Sequence, residues 1–209
     1  MNDAGQIVGV GLYTNSNNGF LQGRGFLYSA GVYTPISVSG SYETDPISIN
    51  DSGEIVGNYE TGTGASVGFL YVDGVYTAID FPGSISTQLT GINNLGQIVG
   101  FYKDADNNVN GLLYSDGTYT TIDFPGASST VPTAINDLSN IVGYYDGNEG
   151  FLAMLGPASV PESSTWTMIL LGFAGLGYVG RPWSRTVQQG AHPAFRKALT
   201  EQRISIGVP

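Results

Sequence analysis

A turn running into Ile-Val-Gly occurs four times in this chain, and its spacing limits what the chain can fold into. The turn reads NDAGQIVG from Asn2, INDSGEIVGNY from Ile49, INNLGQIVGFY from Ile92 and INDLSNIVGYY from Ile135. A second landmark follows each time: GFLY at Gly25 and Gly68, GLLY at Gly111 and GFLA at Gly150. A third, Gly-x-Tyr-Thr-x-Ile, begins at Gly31, Gly74 and Gly117, and its last two copies continue as IDFPG. Tyr33, Tyr76 and Tyr119 are 43 residues apart, as are Asn50, Asn93 and Asn136. Several landmarks keeping one order and one period mark a repeat architecture, in which each unit buries its apolar surface against its neighbours.

Each unit reads as short strands joined by tight turns. Residues 55–59, 69–72, 75–80 and 88–92 are rich in β-branched and aromatic side chains and predict four strands. Asp73-Gly74 and Asp116-Gly117 are hairpin signals, since both central positions of a type I′ turn need φ > 0; Ala30-Gly31 is a weaker version. Gly53 and Gly96 fit the left-handed position of the Asn turn. In the last copy Ser139 replaces that glycine, and Asn140 is the expected substitute. No apolar run with helical period precedes residue 165.

About four strands in 43 residues is the size of one propeller blade. Ile-Val-Gly-x-Tyr is apolar on both faces, as expected of an inner strand packed between blades. The expected fold is an all-β repeat array of β-propeller-like blades, with an incomplete blade included, followed by a C-terminal hydrophobic helix. A β-solenoid or an irregular sandwich is the alternative. The expected organisation is a repeat array over residues 1–156 and a Pro/Ser linker over 157–165. A hydrophobic helix with its basic flank follows over 166–185, then a tail over 186–209.

These landmarks resemble the HAF-type extracellular repeat, a bacterial repeat known by its GFLY and IND-x-G-x-IVG segments. The resemblance covers residues 2 to about 153. The family's usual His before GFLY is absent, with Val67 and Asn110 in its place. The resemblance implies export more than any activity.

After Gly156 the composition changes. Residues 157–164 are small and polar with two prolines, and residues 166–180 read WTMILLGFAGLGYVG without a charge. As a helix this run would span roughly 22 Å, against a hydrocarbon core of ~30 Å, so it suits a thin or locally thinned bilayer. Trp166 and Trp183 flank it, and Arg181 and Arg185 follow directly; such flanks mark a membrane boundary. A buried core helix is the other reading. The opening Val160-Pro161-Glu162-Ser163 and the helix after it resemble a PEP-CTERM sorting signal, departing at Ser163, where a second proline is usual. The resemblance implies that Pro161 and Glu162 are recognised by an exosortase-type processing enzyme and that the helix sits transiently in membrane lipid. Such signals usually end soon after the basic cluster. Here residues 186–209 continue, either as an irregular extension or as an amphipathic helix over 193–203. Met1 stands where Ile49, Ile92 and Ile135 stand in later copies, so an upstream signal peptide and further repeats are expected.

No set of residues assembles into a catalytic site. The single histidine, His192, lies in the tail, and there is no cysteine, so thiolate chemistry and disulfides are excluded. Residues 1–159 hold two basic residues, Arg24 and Lys103, against fifteen acids, within a net charge of −10. Nucleic-acid binding draws on Lys and Arg, so no nucleic-acid partner is expected. Asp104, Asp106 and Asn108 alternate as in the first part of a calcium loop. The expected glycine and closing glutamate are missing, and a polar hairpin tip is the plainer reading. Tyr33, Tyr76 and Tyr119 suit either sugar stacking or the core, and the repeat favours the core. The resulting expectation is a noncatalytic exported surface or extracellular-matrix protein, with extracellular polysaccharide as a further partner. The alternative is an extracellular glycan- or calcium-binding module.

Overall fold

The computed structural model describes residues 1–14, 21–147 and 149–154; the C-terminal linker, helix and tail expected from the sequence lie outside them. The described residues form fourteen strands in four antiparallel sheets, with no helix among them. The first sheet holds β1 (Ile7–Thr14), β2 (Leu21–Ser29) and β3 (Val32–Ile36). The second holds β4 (Thr44–Ile49), β5 (Ile55–Glu60), β6 (Ser66–Val72) and β7 (Val75–Ile79). The third holds β8 (Ser86–Ile92), β9 (Ile98–Lys103), β10 (Val109–Ser115) and β11 (Thr118–Ile122), and the fourth β12 (Thr130–Ile135), β13 (Asn140–Tyr145) and β14 (Glu149–Met154). Every sheet is a meander, with strands paired in chain order.

The expected hairpin turns form. Asp73 and Gly74 have φ of 48° and 90°, Asp116 and Gly117 of 50° and 80°, and Ala30 and Gly31 of 48° and 86°. Gly53 and Gly96 are left-handed, as expected. The last turn differs: Ser139 itself takes the left-handed position at φ 58°, while Asn140 opens β13. The reason lies in Asn136, whose carbonyl accepts from the Ser139 N–H and whose side-chain oxygen accepts from Leu138 and Asn140. Those bonds fix the turn's register whatever side chain stands at 139.

Sheet boundaries also differ from the sequence reading. The strand at 88–92, grouped there with the three strands before it, pairs with β9 and so opens the next sheet. Phe81 makes the break. It leaves β7 and stacks flat on Tyr102 of the third sheet, with centroids 3.7 Å apart. Phe124 does the same to Tyr145 of the fourth, at 3.8 Å. The IDFPG segment is thus a connector between sheets, and in the first copy Val38 and Tyr59 both pack on the core of Ile36, Ile49, Ile55 and Phe69.

The core is three apolar layers between four sheets. Val8 and Leu27 pack with Ile55 and Phe69 between sheets one and two. Val56 and Leu70 pack with Ile98 and Leu112 between two and three, and Val99 and Leu113 with Ile141 and Phe151 between three and four. In Ile55-Val56 and Ile98-Val99 the isoleucine therefore faces the preceding sheet and the valine the following one, since successive strand residues point to opposite faces. This accounts for the two-sided apolarity of the Ile-Val-Gly strand.

The glycine of that motif answers to the strand beside it. β4, β8 and β12 each carry a bulge opposite it. A Cβ on Gly57, Gly100 or Gly143 would lie 2.2, 2.1 and 2.2 Å from the carbonyl oxygens of Asp45, Gln88 and Val131.

Candidate functional site

The residues shared by every copy converge at the Asn turns, which stack along one another from sheet to sheet. Asn2, Asn50 and Asn93 are buried. Each accepts from N–H groups of its own turn: Asn93 Oδ1 receives the Leu95 and Gln97 amides at 3.1 and 2.9 Å. Each also reaches the next turn. The Nδ2 groups of Asn2, Asn50 and Asn93 donate to the carbonyls of Asn50, Asn93 and Asn136 at 3.0, 3.2 and 2.9 Å. A second rail runs beside it. The N–H groups of Asp3, Asp51 and Asn94 donate to the side-chain oxygens of Asp51, Asn94 and Asp137, all at 2.8 Å. Asn94 Nδ2 bridges the carboxylates of Asp51 and Asp137 at 2.7 and 2.9 Å.

Only asparagine fits the first rail, because it offers an acceptor to its own turn and donors to its neighbour. Its donors and acceptors are spent inside the fold, which leaves them no partner to offer a ligand.

A cavity of about 250 Å³ opens between the first and second sheets, lined by Gly23, Arg24, Ser41, Tyr42 and Glu43. Partial burial raises the Glu43 carboxyl above its usual range, with further contributions from the negative charges of Asp45 and Glu60. Asp45 is raised by burial first and by Glu60 second, and its Oδ1 is buried without a hydrogen-bond partner. These carboxyls can exchange protons. The described residues contain neither histidine nor cysteine to act beside them.

The calcium candidates sit at the tip between β9 and β10. Asp104 Oδ1 accepts from the Asp106 and Asn108 amides, both at 2.9 Å, and Oδ2 from the Asn108 side chain at 2.8 Å. The Asn108 side-chain bond is the first cause lowering the Asp104 carboxyl's proton affinity. The three residues come together as a self-bonded turn, with Asn107 left-handed at φ 66°. Among the described residues no three Asp, Glu, His or Cys side chains gather as a metal group. The sorting residues Val160, Pro161, Glu162 and Ser163 and the flanking Trp166, Arg181 and Arg185 lie outside the described residues.

Of the repeated tyrosines, Tyr76 and Tyr119 are half-buried against the preceding sheet, Tyr76 accepting the Ser37 N–H at 2.9 Å. Tyr33 is exposed.

Sequence reasoning missed Thr44, Thr87 and Thr130. They are buried, and their hydroxyls accept from the backbone of Val38, Phe81 and Phe124 at 3.1, 3.0 and 2.9 Å. Their 43-residue spacing was the available signal. No protein-family model matches the chain, and no curated protein matches it.

Proposed function

We propose that this chain is a noncatalytic surface or extracellular-matrix protein. Its repeats form propeller-like blades, and its C-terminal segment works as a sorting signal. The observation that carries the reading is the use made of the repeated residues. The Asn turns, the Ile-Val pairs and the connector phenylalanines join sheet to sheet, and the glycines of the Ile-Val-Gly strands fit the bulged strand beside them. A scarcity of Lys and Arg and a net charge of −10 suit a soluble acidic array that does not compete for nucleic acid.

For the C-terminal segment, the support is the order of its parts: Val160-Pro161-Glu162, an uncharged apolar run, then Arg181 and Arg185. An exosortase-type enzyme would recognise Pro161 and Glu162 while residues 166–180 lie in the inner membrane, and the array would then pass to the cell surface.

The test is fractionation of a Gram-negative host that encodes such an enzyme, expressing the full chain behind a signal peptide. Release of the array to the surface or medium is expected for the native chain, and retention in the inner membrane for Pro161→Ala/Glu162→Ala. Equal release of both, or release in a host lacking the enzyme, contradicts the sorting role.

A further inference from the structure

The two outer faces of the four-sheet stack are the two halves of the interface the chain already makes three times. The Ile-Val pairs report this directly. Ile55, Ile98 and Ile141 are fully buried against a preceding sheet, whereas Ile7 of the first sheet is 39% exposed. Val56 and Val99 are fully buried against a following sheet, whereas Val142 of the last is 44% exposed. Leu152 is likewise 42% exposed, although Leu113, its counterpart one repeat earlier, is buried. Tyr33, whose counterparts cover the preceding sheet, is 67% exposed on the first.

The rails end in the same way. Each turn donates to the one after it. The first turn therefore presents the Asn2 carbonyl and the Asp3 carboxylate as acceptors, and the last presents the Asn136 amide and the Asp137 N–H as donors. Among the described residues no neighbouring turn meets either set. Asn136 is exposed while its three counterparts are buried.

We propose that a second copy of this chain docks on these faces head to tail, the last sheet of one copy against the first sheet of the other. The contact would repeat the packing seen between sheets three and four: Val142 and Leu152 would meet Ile7 and Phe26, as Val99 and Leu113 meet Ile141 and Phe151. One contact of this kind leaves two outer faces free, so a second can close two copies into a ring of eight sheets, within the blade number that propellers use. The proposal rests on the repeated interface and is independent of the sorting role.

Ala4 and Leu138 occupy equivalent positions in the first and last turns. Both are exposed, and the chain has no cysteine of its own. Full-length Ala4→Cys and Leu138→Cys chains, kept dispersed in mild nonionic detergent, are mixed and treated with a short bismaleimide. Covalent dimers are expected from the mixture and at most traces from either chain alone. By sedimentation, the native chain should run at twice its 22.0 kDa mass. Val142→Glu should run as a monomer with an unchanged circular dichroism spectrum, because the side chain it alters is not in the core. A native monomer at every concentration, or equal cross-linking of all three samples as apolar tails alone would give, overturns the proposal.

Discussion

Asn93 does four things with one side chain. Its oxygen closes its own turn through two N–H groups, and its amide bonds Gln97 and the Asn136 carbonyl of the next sheet. The glycines beside such turns are equally committed. At Gly100 a methyl group would lie 2.1 Å from the Gln88 carbonyl oxygen, a backbone atom in a bulged strand that has no rotamer to yield. Gly100→Ala should therefore cost about 3 kcal/mol or more, at the upper end of overpacking penalties. Gly62→Ala meets nothing within 4 Å and should shift the melting temperature little. Similar midpoints for the two variants would mean that the close approach at Gly100 is not a constraint.

At the scale of elements, the hairpin turns and the Ile-Val-Gly strands are legible in the sequence. Their signals are local: a left-handed pair at Asp73-Gly74, an apolar pair at Ile55 and Val56. Where a sheet begins is not legible, because a 43-residue period reads the same from any starting strand. The pairing of β8 with β9 assigns it to the sheet that follows, and Phe81 stacked on Tyr102 marks the crossing. The stacked turns were hidden for a related reason: the Asn turns announce a repeat, but not that consecutive turns touch.

The same crowding of elements brings Glu43, at the entry to β4, and Asp45 together with Glu60 of β5. Burial and mutual repulsion raise the first two carboxyls in the folded chain. The unfolded chain then ionises first as pH rises. The folded state is favoured fully below the ordinary carboxyl range and loses that advantage as pH climbs from near 3.8 and 4.5 through the raised values. Asp45→Asn and Glu43→Gln should each melt higher than the native chain at pH 7, with the gain fading on acidification toward pH ~4. A gain that persists unchanged in acid would place its origin outside these charges.

At the scale of the molecule, the described sheets pack in chain order, each against its neighbours, so stability is held in the contacts between sheets as much as within them. The three apolar layers and the two hydrogen-bonded rails recur among those contacts, beside single bonds such as those of the Asn58 side chain to the Leu89 backbone and of Thr90 to the Pro132 carbonyl. The layers are non-directional, whereas the rails fix which turn follows which. Asn93→Asp separates the two uses of this side chain. It keeps an acceptor for the Leu95 and Gln97 amides, removes the donors to Gln97 and Asn136, and turns a carboxylate toward two oxygens. The most direct test is the unfolding free energy of this single variant in urea at neutral pH. A loss of about 2–4 kcal/mol is expected if the rail joins the sheets. A change within about 0.5 kcal/mol, the range of substitutions at unremarkable surface positions, would mean that Asn93 serves only its own turn, and the sheets are not held together in the way described.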